Sequence, residues 1–276
     1  MNFDSPKIMG VLNITPDSFS DGGKYDDPNS WKSKIADFIK SGVDIIDVGG
    51  ESTGPDSKDV TVEEEMSRVK PVIDFIAENK LHQRVFFSID TYKASVARYA
   101  LQNGFQMVND VTALRGDAGI IDLLMEYEPY IILMYSKDDT PRTTTATIEY
   151  ADVVASIKTF LVSQMVDLIE AGFPEEKIIL DPGMGMFVSA DPKYSFEILN
   201  RLSEVKQLGY PLCIGVSRKS FLGGALKDRD KASVEWSLKA IENGADIVRM
   251  HEVEGIKKAL ESQSAEEMED QEEDFD

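Results

Sequence analysis

Along the chain, short β-branched and apolar runs alternate with longer stretches in which apolar positions recur at helical spacing. The short runs predict strands at 8–13, 45–48, 85–90, 107–109, 130–134, 178–181, 212–216 and 247–250. The longer stretches predict helices at 29–41, 61–79, 93–103, 120–127, 147–171, 192–207, 232–243 and 254–263. Gly104, Gly172, Gly209 and Gly244 stand where a helix ends in a left-handed residue before the next strand.

Eight strand–loop–helix–turn units in 276 residues predict an α/β fold, a (β/α)8 TIM barrel in a single domain. An open doubly wound sheet shares this alternation and stays as the alternative on periodicity alone. The polar residues favour the barrel, in which ligand-handling side chains emerge at the C-terminal ends of the strands. Those ends carry Asn13, the triplet 51–53, Asp90, Asn109, Tyr135, Asp181, the triplet 217–219, Arg249 and His251.

Composition narrows the function classes. A formal net charge of −21 repels a polyanionic backbone, and the sequence shows no basic patch to offset it, which excludes nucleic acid as a partner. Much carboxylate lies at the C-terminal end, so the chain divides into a domain at 1–264 and an acidic tail at 265–276, expected to be disordered and solvated. No apolar run reaches the roughly 20 residues that span a bilayer, so a soluble protein without membrane contact is expected. The first residues are short and polar, without the pattern of a leader. Cys213 is the one cysteine; it offers no disulfide and no thiolate cluster, reads as core packing, and fits a reducing cytoplasm.

If the barrel closes, its strand ends converge on one mouth with two electrostatic halves. Asp90, Asn109 and Asp181 suit a flat heterocycle rich in N–H and C=O groups, because a carboxylate accepts from adjacent donors and an amide reads a donor and an acceptor together. Each is equally compatible with a helix N-cap. Lys219 and Arg249, with His251, Ser217 and Ser220, suit phosphate oxygens, against the plainer reading of 217–220 as a solvated basic loop. The first loop offers Asn13 and Asp21 as oxygen ligands of the kind Mg²⁺ takes while bridging a diphosphate, and a surface loop is the alternative there.

Several motifs then match one family in order: GVLNITPDSFSDGG at 10–23, DVGGEST at 47–53, SIDT at 88–91, VND at 108–110, DPG at 181–183, SRKSF at 217–221 and RMH at 249–251. From about residue 7 to 260 the chain resembles the dihydropteroate synthases. The resemblance implies condensation of 6-hydroxymethyl-7,8-dihydropterin pyrophosphate with p-aminobenzoate, giving 7,8-dihydropteroate and pyrophosphate in folate biosynthesis. It implies a pterin pocket of Asp90, Asn109, Met134, Asp181, Gly215, Lys219 and Arg249. Of these, Asp90, Asn109, Asp181, Lys219 and Arg249 would carry the catalysis. It further implies pyrophosphate contacts at Asn13, Thr53, Arg249 and His251, p-aminobenzoate contacts at Thr53, Pro55, Met186 and Ser220, Mg²⁺ at Asn13 and Asp21, and a homodimer through the late helices.

Three departures stand out. Gly54 occupies a place where the family usually has arginine. Tyr135-Ser136 replaces a His-Met pair. The segment 184–189 lacks the usual Gly-Phe-Gly-Lys and resembles the loop of the sulfonamide-insensitive subgroup, which implies reduced sulfonamide sensitivity. Two other functions share the pterin-reading residues: a pterin-binding methyltransferase domain serving cobalamin, and a non-catalytic pterin-binding relative.

Overall fold

A computed structural model describes residues 1–15, 28–55 and 57–273. Eight strands run in parallel: β1 (Lys7–Asn13), β2 (Ile45–Gly49), β3 (Phe86–Asp90), β4 (Met107–Asp110), β5 (Tyr130–Met134), β6 (Ile178–Asp181), β7 (Cys213–Ile214) and β8 (Ile247–Met250). Their order is β6-β5-β4-β3-β2-β1-β8-β7. A parallel bridge between Leu180 and Leu212, with Leu180 N–H donating to the Pro211 carbonyl at 2.9 Å, joins β6 to the β7 edge and closes the ring. The barrel expected from the alternation is therefore the fold, and the open sheet is excluded.

The helices are α1 (Pro28–Lys40), α2 (Val62–Glu78), α3 (Ala94–Gln102), α4 (Gly119–Tyr127), α5 (Val153–Glu170), α6 (Pro192–Asn200), α7 (Leu202–Lys206), α8 (Leu226–Glu242) and α9 (Glu254–Glu273). The four glycine exits all have positive φ. Four helices differ from their expected limits. α5 starts at its cap Asp152, whose carboxylate accepts from Ala155 N–H, so 147–152 is freed for the loop before it. α8 starts earlier because Asp228 accepts the Ala225 N–H and closes an extra first turn. The stretch 192–207 is broken at Arg201, a break that no Gly or Pro in the sequence marks. α9 runs to Glu273, so residues 265–273 of the stretch expected to be disordered continue a helix; Ala, Met, Gln and Glu are strong helix formers, and no Gly or Pro interrupts them.

Two apolar clusters explain the closure. Outside the strands, residues such as Phe38, Ile73, Phe87 and Leu161 pack helices onto the sheet. Inside, Met9, Ile45, Met107, Ile132, Ile179, Cys213 and Ile247 form a separate plug, every one of them at most 1% exposed. Successive residues of a strand face opposite sides, so the side chain two positions on points the same way, one layer nearer the C-terminal end. Above the plug, that layer reads Val11, Asp47, Asn109, Met134, Asp181, Gly215 and Arg249. The same alternation that fills the barrel floor with hydrocarbon thus delivers polar groups to its mouth. Cys213 lies in the plug, as the core-packing reading expects, and burial pushes its thiol well above the ordinary value.

Candidate active site

The mouth holds a cavity of about 220 Å³, lined from almost every strand end. Of the residues expected from sequence, Asn13, Thr53, Asp90, Asn109, Met134, Asp181, Gly215, Lys219, Arg249 and His251 all line it. Met184 and Phe187 from the loop after β6 complete the wall, and Pro55, Met186 and Ser220 are not among the lining residues. Asp21 lies outside the described residues.

The two halves expected from sequence are joined by an arginine. Arg249 Nε donates to Asp47 Oδ2 at 2.7 Å, and its terminal nitrogen donates to Asp90 Oδ2 at 2.6 Å. Asn109 Nδ2 donates to the same Asp47 oxygen at 3.0 Å. Asp47 is fully buried and its second oxygen has no partner. One carboxylate on β2 therefore orients both the amide of β4 and the guanidinium of β8. The role of Asp47 is not evident from the motif at 47–53 that contains it; its signal in the sequence is an acidic residue at an inward position of an otherwise apolar strand.

Asp181 ends β6 and bends its loop. Its Oδ1 accepts the Gly183 N–H at 2.8 Å, so part of the N-cap alternative is realised as a local turn rather than a helix cap. Gly183 has φ +69°, and a Cβ there would lie 2.4 Å from the Tyr135 carbonyl oxygen, so only glycine fits. Burial pushes the Asp181 carboxyl up to about 6, with Lys219 and Arg249 pulling the other way. Burial likewise pushes Asp90 up, opposed by its contact with Arg249. Lys219 is pushed down to about 8 by burial, against the pull of Asp181, and its Nζ stands 4.9 Å from the centre of the Phe187 ring. Burial and the nearby Arg249 charge push His251 down to about 3, leaving a neutral ring whose Nδ1 shares a 3.1 Å hydrogen bond with Ser217 Oγ.

The basic turn divides its labour. Lys219 faces the cavity, whereas Arg218, at φ +60°, pairs with Asp230 at 2.7 and 3.1 Å. Of the two adjacent cations in this turn, Arg218 is thus structural. Tyr135 is also structural: its hydroxyl meets that of Tyr150 at 3.0 Å and its ring stands edge-on to Phe160 in α5. Gly54 lines the cavity, and among the described residues a Cβ placed there would meet only Ser52 Oγ, at 3.7 Å.

A cavity with these residues at the end of an eight-stranded barrel matches known proteins along nearly its whole length. The family model described as pterin binding enzyme matches residues 9–251. Over 252 residues the chain is 41% identical to the dihydropteroate synthase of Streptococcus pyogenes serotype M3, covering 89% of this chain and 90% of that one. The chain belongs to the dihydropteroate synthase family. Members of that family are transferases of folate synthesis, and so is this chain. A structure of Xanthomonas albilineans dihydropteroate synthase with 4-aminobenzoic acid superposes with a TM-score of 0.88 at 33% identity, covering 97% of this chain and 95% of that one. The Clostridium difficile dihydropteroate synthase in the presence of pteroic acid gives 0.85 at 39%, covering 95% and 97%.

Around this family core the chain has a second layer that sequence reasoning missed. Glu51 leaves β2 with its side chain buried between two cations, Lys93 at the start of α3 and Arg142 in the loop after β5. Lys93 also reaches Glu65 in α2 at 2.5 Å. No motif at residues 93 or 142 was read, because a lysine before a helix and an arginine in a polar loop look solvated in one dimension.

Proposed function

We propose that this chain condenses 6-hydroxymethyl-7,8-dihydropterin pyrophosphate with p-aminobenzoate at the barrel mouth, using the residues that line it. The observation that carries the assignment is the inward layer of Asp47, Asn109, Asp181 and Arg249 standing directly above the apolar plug, with Lys219 beside it. A neutral bicyclic ring is held at such a place by its polar edge and flanked by Met134 and Gly215, where no side chain obstructs the approach.

The carboxylate of Asp181 and the amide of Asn109 bind the N–H and C=O edge of the pterin, and Lys219 donates to a ring acceptor. Asp90 faces developing positive charge on the ring. Asn13, Thr53, Arg249 and the neutral imidazole of His251 offer donors to the diphosphate. In the reaction the C–O bond between the pterin methylene and the diphosphate breaks, the aniline nitrogen lone pair forms the C–N bond, that nitrogen loses a proton, and pyrophosphate departs with the C–O electron pair. Positioning and charge stabilisation suffice for this substitution, and no covalent enzyme intermediate is needed.

Among the described residues no group of three or more His, Cys, Asp or Glu side chains is placed to hold a metal ion. Mg²⁺ needs no such group: it binds through one or two protein oxygens plus substrate phosphates and keeps several waters. Asn13 at the cavity, with Asp21, would hold it; when bound it supplies positive charge to the pyrophosphate leaving group.

The loop after β6, with Met184 and Phe187 in place of the usual motif, supports reduced sulfonamide sensitivity, and the arylamine enters between it and Thr53, with Pro55, Met186 and Ser220 around the entrance. We further propose, on kinship, a homodimer through the late helices, and a cytoplasmic protein with its catalytic unit at 1–264 and a separate acidic segment at 265–276. Among the described residues no helix is long and apolar enough to cross a membrane.

The test is an assay of purified protein with both substrates, with and without Mg²⁺. Formation of dihydropteroate and pyrophosphate in equal amounts supports the assignment. Pterin binding without product, or methyl transfer to cobalamin instead, refutes it.

A further inference from the structure

The loop between β5 and α5 fastens to two segments, one after β2 on its far side and one after β6 on its near side. On the far side, the Arg142 guanidinium pairs with the carboxylates of Glu51 and Asp59 and donates to the Lys58 carbonyl at 2.7 Å, all on the segment after β2. The adjacent Thr143 N–H donates to the Thr53 carbonyl at 3.1 Å. On the near side, the Thr143 hydroxyl donates to the Met186 carbonyl at 2.6 Å, in the loop after β6. β2 and β6 are separated in the barrel by three strands, so one dipeptide links segments that follow non-adjacent strands.

These contacts are enclosed. Thr143 is 3% exposed, and the Glu51 side chain is likewise 3% exposed. The pairing with Asp59, almost wholly exposed, contributes little; the contact with Glu51, withdrawn from solvent, is the anchoring one. Glu51 is itself fixed from below by Lys93, which prevents the anchor from drifting. Three further bonds carry the same loop along the β6 segment: Lys137 N–H to the Phe187 carbonyl at 2.8 Å, Tyr150 Oη–H to the Val188 carbonyl at 2.7 Å, and Ser189 Oγ–H to the Ile148 carbonyl at 3.1 Å.

We propose that Arg142 and Thr143 are positioning residues for the arylamine half of the reaction: by tying the segment after β2 to the loop after β6, they set the width of the opening between Thr53 and Phe187. The inference rests on the synthase reading above. The pterin ring is held by Asn109, Asp181 and Lys219, none of which the clasp touches, and Thr53, one of several donors to the diphosphate, meets the clasp through its backbone carbonyl alone. Loosening the clasp therefore weakens the use of the arylamine and spares the binding of the pterin.

The experiment is steady-state kinetics for both substrates, with calorimetry of the pterin pyrophosphate in Mg²⁺, on wild type, Arg142→Met, Arg142→Lys, Thr143→Val and Thr143→Ser. The expected result is a KM for p-aminobenzoate raised about 10-fold or more in Arg142→Met and Thr143→Val, because misplacement of about 1 Å has effects of that size. Pterin affinity stays within about twofold, and Thr143→Ser, which keeps the hydroxyl, behaves as wild type. Should Arg142→Met fail to fold, Arg142→Lys and the two Thr143 variants carry the test. Unchanged arylamine KM, or equal loss for both substrates, overturns the inference while leaving the synthase reading intact. A wild-type chain that makes no dihydropteroate overturns both.

Discussion

Arg249 on β8 is held by Asp47 on β2 at 2.7 Å, although 202 positions separate them in the chain. The two strands are not adjacent; β1 lies between them. Asp47 therefore acts across the barrel interior, and its 3.0 Å bond from Asn109 makes it the common support of two groups that face the substrate. Replacing Asp47 by Asn keeps the volume and removes the charge that orients the guanidinium. The expected result is a fall in kcat/KM on the order of 100-fold with an unchanged circular dichroism spectrum, since small misplacements of binding groups cost that much. A fall of less than about twofold would remove Asp47 from the account.

Burial of Lys219 and Asp181 predicts a bell-shaped pH profile. Lys219, pushed down to about 8, must be protonated to donate, so activity falls as the pH rises through that value. Asp181, pushed up to about 6, must be ionised to accept, so activity falls as the pH drops through that value. Lys219→Arg keeps its proton throughout and is expected to abolish the alkaline limb of kcat/KM in the free enzyme. An alkaline limb unchanged in that variant would assign it to another group.

The open space at Gly54 predicts a gain rather than a loss. Among the described residues, a Cβ there would meet only Ser52 Oγ, at 3.7 Å. Gly54→Arg is expected to lower the KM for the pterin pyrophosphate roughly fivefold, the scale of one charge-assisted hydrogen bond partly exposed to water, and to make that KM more sensitive to salt. Kinetics at two ionic strengths check both.

Lys93 neutralises two buried carboxylates, with Glu65 fully buried and the Glu51 side chain 3% exposed. Lys93→Met should cost about 3–5 kcal/mol in denaturant unfolding near neutral pH. Burial pushes the Glu65 carboxyl up and Lys93 holds it back. A carboxyl whose folded pKa is raised stabilises the fold when protonated and loses that contribution as pH rises, so the deficit should shrink between about pH 8 and about pH 5. A deficit equal at both would show that the loss is one of packing.

How much could be read in advance follows from the same periodicities. Strands β5, β6 and β8 were legible to the residue, because their apolar runs end at Met134, Asp181 and Met250 just as the inward layer turns polar. The convergence of Asn109, Asp181, Lys219 and Arg249 was legible once the barrel was assumed, since strand ends share one rim. Asp47 was not, because an inward acid differs from an N-cap only by which partner faces it across the barrel. The β5–α5 loop was not either: residues 147–152 carry helical spacing, but their partners are the loop after β6, and a tertiary pairing of that kind leaves no period in sequence. Nor could the division between Lys219 and Arg218 be read, for it depends on Asp230 reaching back from α8.

The central claim is that the polar layer above the barrel plug is the pterin site, and Asp181 is its clearest member. Titration calorimetry of 6-hydroxymethyl-7,8-dihydropterin pyrophosphate into wild type and Asp181→Asn measures this directly. The account predicts binding to wild type and a loss of about 100-fold in the variant, the scale of a buried charged hydrogen bond removed; equal affinity in the two proteins would contradict it.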